Sequence, residues 1–470
     1  MRVPILNGIF SDETSDYRTS YPVNMVPVPK KTGISEGYLK PAAGIKSFTM
    51  GTGLDRGGIN VNGICYRASG SKLIRVDADG TIVILGEIGG IDQCSFAYSF
   101  DNLAISSNGD LFYWNLTALT LTQVTDVDLG VCDYIAWLDG YFASTDGEFI
   151  IVSDLNNPLS FNPLKYGASE VMPDPILSLL VLRNQLVAMN RYSMESFDNV
   201  GGQFFPFQRI DGAYIQRGTV GKFANCIYEE QIAFLGGGVN EPVAIWLGIN
   251  GESRKISSRE IDIRLQNFSE EVLSKVIVEA RVERSHRFLY IHLPNETLVF
   301  DASATDKFEE PIWFSLSSGI TGFGAYLARN FVWAYDKWIV GDPVSNAIGV
   351  FDFSSGDNWG KKVGWRFQTP LIYNESNGAI IWELELMGVS GNVQNPESNP
   401  QIFTDYSVDK GVTWSVPKAR SAGRQGKREV RINWLQNGAM NDQRIQRFYG
   451  NSDAHLSFSA LEVRVEGLYT

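Results

Sequence analysis

Histidine is scarce in this chain, three in 470 residues, and that removes most routes to imidazole-based catalysis or metal binding. His286 and His292 flank one strand-like run and His455 stands far off, so no second cluster completes a site. Cysteine is equally sparse. Cys65, Cys94, Cys132 and Cys226 are widely spaced with no C-x-x-C pair, so neither a zinc site nor a disulfide framework is signalled. Buried free thiols and assembly in a reducing cytoplasm are expected instead. No G-x-S-x-G occurs, and Gly236-Gly237-Gly238 lacks the Lys-Ser/Thr of a phosphate loop. Long apolar runs are missing too: Ile176 to Leu182 is far too short to cross a bilayer. Residues 1–8 hold one basic residue and no apolar core, so neither a signal peptide nor membrane insertion is expected. Positive charge is the minority sign, 40 basic against 53 acidic residues for a net −13. That excludes a DNA-wrapping protein, which needs Lys and Arg to displace counterions. It permits one that surrounds DNA without gripping it. No enzyme, cofactor or metal is expected.

What the chain has in abundance is β-forming hairpins. Aromatics reach 12% and hydrophobic residues 44%, enough for a large core with packed sheets. Ile64-Cys65-Tyr66-Arg67 turns at Gly70-Ser71 into Leu73 to Val76, and Leu103 to Ser106 turns at Asn108-Gly109-Asp110 into Leu111 to Trp114. Tyr134 to Trp137 turns at Asp139-Gly140 into Tyr141-Phe142, and Phe288 to Ile291 turns at Pro294-Asn295 into Thr297 to Phe300. Such units cannot bury their own apolar faces, so they stack around an axis. The expected fold is all-β, a propeller-like core of about five to seven blades over residues 51–355. Residues 1–50 read as an extended arm, because Pro22, Pro27, Pro29 and Pro41 forbid a continuous helix or central strand. One inserted helix is expected near residues 269–280, where Ser269 caps Glu270-Glu271 and Val272, Leu273, Val276 and Ile277 repeat at helical spacing.

From Gly356 the texture changes. Trp382 to Leu386, Arg428 to Ile432 and Leu461 to Glu466 alternate apolar and charged residues, which predicts an antiparallel β-sandwich over residues 356–470. Within it Ser407-x-Asp409-x-Gly411-x-Thr413-Trp414 matches the Asp-box pattern known from sialidase-like propellers. Its carboxylate can bond turn amides while Gly permits positive φ, so a structural turn is expected. A glycosidase would need two positioned carboxylates, and a sialidase an arginine cluster and a tyrosine nucleophile; no pair stands out. The charge anomaly is Lys418, Arg420, Arg424, Lys427, Arg428 and Arg431, relieved only by Glu429. It reads either as a solvated loop and strand face or as positive charge meeting DNA or an acidic partner after assembly.

A resemblance runs through nearly the whole chain. Tyr21-Pro22-Val23-Asn24-Met25, Gly37-Tyr38-Leu39 and Gly44-Ile45 carry it in the arm. Tyr66-Arg67 with Gly70 to Leu73, Met194 to Phe197, Leu289 to Ser303 and Gly341-Asp342 follow in order. The chain resembles the packaged-DNA stabilisation, or tail hub and nozzle, proteins of short-tailed phages. That resemblance implies a virion protein assembled in the host cytoplasm, with no catalytic residues to transfer. It implies a homo-hexameric ring below the portal–adaptor that extends the DNA channel, retains the genome and passes it at ejection. Tail fibre, spike or needle proteins are the implied neighbours. The alternative, raised by the Asp box, is a glycan-binding or glycan-cleaving propeller of a phage tail.

Overall fold

A computed structural model describes residues 1–10, 20–30, 33–374, 377–393, 396, 398–451 and 454–468. The hairpins seen in the sequence pair as antiparallel strands in register: Ile64–Ser69 with Lys72–Val76, Asn102–Ser107 with Asp110–Asn115, Tyr134–Leu138 with Tyr141–Thr145, and His286–His292 with Thr297–Asp301. At one of the turns Asp139 and Gly140 both have positive φ, 49° and 88°, as two-residue hairpin loops require.

These hairpins extend into seven sheets of four or five strands. Blade 1 spans residues 55–87, blade 2 95–123, blade 3 134–168, blade 4 176–209, blade 5 218–255, blade 6 277–316 and blade 7 329–352. The first strands of successive blades touch one another, and that of blade 7 touches that of blade 1, closing the circle. The outer strand of blade 7 comes from the opposite end of the chain: Gly44–Met50 pairs with Ala347–Asp352. One apolar layer fills each blade interface. Between blades 1 and 2 it is Val61, Tyr66 and Leu73 against Leu103, Phe112 and Trp114; between 7 and 1, Val332 and Ile348 against Cys65 and Ile74. Cys65, Cys94 and Cys132 are buried free thiols in these layers.

Buried arginines tie the first blades together. Arg67, fully buried, donates from Nε and Nη2 to Asp55 at 2.7 Å each, and Asn330 of blade 7 donates to the same carboxylate at 2.6 Å. Arg56 donates to the carbonyls of Gly70, Gly89 and Asp92 and to Ser107 Oγ at 2.6–2.8 Å, joining blade 1 to blade 2.

The expected helix is shorter than its spacing implied. Only α2 (Glu270–Leu273) is helical after Ser269, and Ile277–Glu283 is the first strand of blade 6. The β-branched run Val276-Ile277-Val278 favours a strand, and pairing with His286–His292 decides it. Two further helices were not anticipated: α1 (Arg259–Gln266), which buries Ile261 and Leu265, and α3 (Ala302–Phe308), N-capped by Asp301.

The C-terminal part is a two-sheet sandwich. One sheet runs Met25–Val28, Tyr38–Pro41, Phe458–Leu468, Gly378–Gly388, Ile432–Leu435, with Arg2–Val3 also on Phe458–Leu468. The other runs Gly364–Gln368, Gln443–Asn451, Gln401–Ser407, Lys418–Ser421. Trp365, Phe367, Trp434, Phe448 and Phe458 fill the space between. The N-terminal segment therefore belongs to both bodies, and Pro27 sits on the edge strand, where its missing N–H does no harm. Asn24 (φ 55°) fastens the junction: its amide donates to the carbonyls of Ser317 and Gly364 at 2.8 and 2.7 Å and accepts the Ser317 N–H at 3.0 Å.

Candidate functional site

The Asp-box residues assemble into one turn between Gln401–Ser407 and Lys418–Ser421. Asp409 accepts the N–H groups of Val412 and Thr413 at 3.1 and 2.8 Å, and Ser407 Oγ accepts the Gly411 N–H at 2.8 Å. Gly411 has φ 91°. Donation by the Thr413 hydroxyl and amide and by Ser407 draws the Asp409 carboxyl down to about 2. Its stabilising bonds are thus fully present above its ordinary value of 3.8 and are lost as pH falls through about 2. Asp409→Ala is expected to cost about 1 kcal/mol, read as a lower thermal midpoint of the sandwich at pH 7. An unchanged melting curve would remove this turn role.

All six residues of the basic cluster are exposed. Three are tied to their own sandwich. Lys418 Nζ donates to the Leu435 carbonyl at 3.1 Å, Arg420 Nε to the Asn433 carbonyl at 2.8 Å, and Arg431 Nε to Glu385 at 2.8 Å. Arg424, Lys427 and Arg428 make no side-chain hydrogen bond or ion pair among the described residues. The strand expected from Arg428 begins only at Ile432. Gly423 and Gly426, at φ 90° and 82°, turn the preceding segment into a loop that presents those three cations to solvent.

A second constellation was not foreseen. Between blade 6, the N-terminal segment and the sandwich lies a cleft of about 940 Å³ that brings together Tyr21, Arg264, Glu296, Arg366, Trp414 and Arg447. Arg264 and Arg366 lie 4.3 and 4.9 Å from the Tyr21 ring, and Arg447 lies 3.8 Å from the Trp414 ring. Arg264 pairs with Glu296 at 3.1 Å and Arg447 with Asp405 at 2.6 Å. The Tyr21 hydroxyl donates to Glu296, and burial with that carboxylate raises the phenol's pKa. These residues are up to 426 positions apart, so no single motif signals the group; Trp414 was legible as part of the Asp box and Tyr21 as the start of Tyr21-Pro22-Val23-Asn24-Met25. Among the described residues Glu296 is the one carboxylate lining the cleft, half of what glycoside cleavage needs.

Two of the three histidines are built into blade 6, and His455 lies between two strands of the sandwich. His286 Nδ1 lies 2.6 Å from Asp301, and His292 Nε2 lies 3.1 Å from Glu279. Among the described residues no group of three or more His, Cys, Asp or Glu could hold a metal ion. Two cavities are lined by the inner strands of the blades. One of about 780 Å³, lined by Ile59, Tyr98, Phe100 and Trp137, gives way to one of about 170 Å³ around Glu279, Asn330 and Phe331. Phe96 and Tyr134 border both, and the Tyr134 and Phe223 rings meet at 5.7 Å.

A seven-bladed propeller carrying a β-sandwich, both bound by one N-terminal segment, defines the class. Within that class the chain belongs to the tail-hub family of short-tailed phages. The family description "Bacteriophage P22 Gp10, beta-propeller" matches residues 1–356 and its companion "Bacteriophage P22 Gp10, beta-sandwich" matches residues 364–466. The chain is 24% identical to the tail hub protein gp10 of Salmonella phage P22 over 493 aligned positions, covering 99% of each. Among solved structures, the Neurospora crassa Pan2 WD40 domain is 8% identical, with 65% of this chain and 94% of that one covered and a TM-score of 0.43. The N-terminal domain of Nup159 is 11% identical, with 74% and 97% covered and a TM-score of 0.39. The chain is accordingly a structural tail component of a phage virion, assembled with other tail proteins.

Proposed function

We propose that six copies form a ring below the portal–adaptor, extend its DNA channel, hold the packaged genome and pass it during ejection. The observation that carries this reading is the match to the tail-hub family over both modules, residues 1–356 and 364–466. A net charge of −13 suits a lumen that repels phosphates and lets DNA slide. Tail fibre, spike or needle proteins attach to the same assembly, which forms in the host cytoplasm. Residues 1–50, 51–355 and 356–470 act as three working units, the first tying the other two. Mixing the purified protein with its portal–adaptor complex and imaging by negative-stain electron microscopy tests the reading. Six-fold rings capping the portal are expected; single particles that never join it would overturn it.

Within this reading the untethered Arg424, Lys427 and Arg428 contact DNA or an acidic neighbour, with Lys418, Arg420 and Arg431 beside them. Arg424→Glu with Arg428→Glu is expected to leave the thermal midpoint unchanged, since neither side chain has a partner to lose. Ring formation or genome retention should fall several-fold at physiological salt. Unaltered assembly and retention would remove the cluster from the interface.

A second reading, glycan binding, is favoured by the convergence of Arg264, Arg366 and Arg447 beside Trp414 of the Asp box. Cleavage is not part of it, because the Tyr21 phenol is held protonated by burial and, among the described residues, no second carboxylate lines the cleft. Saturable binding on a glycan array, lost on changing Arg366, would support this reading.

A further inference from the structure

Three arginines line the junction cleft, but among the described residues only Arg264 and Arg447 pair with a carboxylate. Arg366 has no hydrogen bond or ion pair from its guanidinium among the described residues, and its Nε is buried with no acceptor. It is held by ring faces instead, 4.9 Å from Tyr21 and 4.3 Å from Phe323. Burial lowers its pKa to about 10, so the group is still charged at neutral pH. A half-buried cation that forms no direct ion pair among the described residues gains little stability from its charge, yet this one is aligned by stacking for in-plane, bidentate recognition of an anion.

Its surroundings fix the kind of ligand. Phe323 and Ile320, 62% and 58% exposed, rim the opening. Gly322 and Gly324 flank Phe323 at φ 76° and 109°. A neighbouring cavity of about 350 Å³, lined by Trp365 and Phe403, shares Arg366 and Arg447 with the cleft. Arginine, tryptophan and tyrosine in a concave site with an apolar rim, and no lysine in the lining, is the composition of protein-binding hot spots. A sugar would want a free aromatic face. Arg447 already covers one face of Trp414, and Arg264 and Arg366 pack against Tyr21.

We propose that this cleft is a docking site for an acidic segment of a partner polypeptide, whose carboxylate pairs with Arg366 while an adjacent apolar side chain packs on Phe323 and Ile320. The site is complete within one chain and does not depend on ring formation. Arg366 is thus a residue kept for binding rather than for the isolated chain's stability.

The test uses the full chain and two peptides in titration calorimetry: acetylated Glu-Leu-Glu-Leu-Glu-Leu and the same peptide with Gln for Glu. The acidic peptide is expected to bind saturably and at least tenfold more tightly than its neutral counterpart. Arg366→Met should weaken binding at least tenfold while its thermal midpoint stays level or rises. Phe323→Ala, on an exposed loop, should weaken binding several-fold and serves if Arg366→Met does not fold. Equal affinity for both peptides, or acidic-peptide binding undiminished in either variant, would overturn the proposal. Tighter binding of N-acetylneuraminate than of the acidic peptide would also overturn it, turning the cleft into an acidic-sugar site.

Discussion

Deletion of residues 1–50 is expected to abolish cooperative unfolding of the whole protein, not merely to trim a flexible end. The segment supplies the outer strand of blade 7 and three strands of the sandwich sheet. It also places Val3, Ile5, Met25, Leu39 and Ile45 in buried positions, each 3% exposed or less. Burying one such side chain is worth about 1.5–3 kcal/mol, so five together rival the roughly 5–15 kcal/mol by which a domain is stable. Loss of Asn24 would also remove three hydrogen bonds at the junction of propeller and sandwich. The measurement is near-ultraviolet circular dichroism through a thermal scan, with limited proteolysis alongside. No sharp transition and rapid digestion are expected, with partial recovery when residues 1–50 are added back as a separate chain. A cooperative melt within a few degrees of the intact protein would show that the circle of blades closes without its borrowed strand.

Arg67→Met should be the most damaging single substitution in the propeller. It leaves the Asp55 carboxylate, only 3% exposed, without its charge partner beneath blades 1 and 7, and breaking a buried pair costs about 3–5 kcal/mol. Neutralising the other member should restore part of that loss, so Arg67→Met with Asp55→Asn is expected to be more stable than Arg67→Met alone. Urea denaturation at pH 7 reads the difference as a shift of midpoint at constant slope. If the double variant proves less stable than the single one, the penalty comes from lost packing of the Arg67 stem rather than from an orphaned charge.

The blades were legible because a hairpin is a local object. Asn108-Gly109 and Asp139-Gly140 announce a turn, and the apolar runs beside them announce strands, whatever the rest of the chain does. Sheet membership was not legible. Nothing around Gly44 says that its strand belongs beside Ala347, because that pairing is settled by closure of the circle. Residues 276–280 misled for the complementary reason: their helical spacing and β-branched character conflict, and a tertiary partner resolves it. Among functional residues, the Asp box was readable because its donors and acceptor lie within seven residues. The six cations were readable as a patch, but not the division between three tethered by carbonyls or Glu385 and three left free. Gly341 and Arg67, noticed as separate fragments of a family resemblance, belong to one feature: a Cβ at Gly341 would run into Asp55, the partner of Arg67.

The strand borrowed by blade 7 has a consequence for the making of the protein. Residues 44–50 leave the ribosome early, but their partner at 347–352 follows some three hundred residues later, and Phe458–Leu468 later still. Until then Gly44–Met50 and Arg2–Val3 have nothing to pair with, and every growing propeller keeps an open flank. Completion is thereby coupled to translation of the full message. A chain that terminates before residue 347 carries an unclosed circle of blades and lacks the sandwich strands that its first segment pairs with.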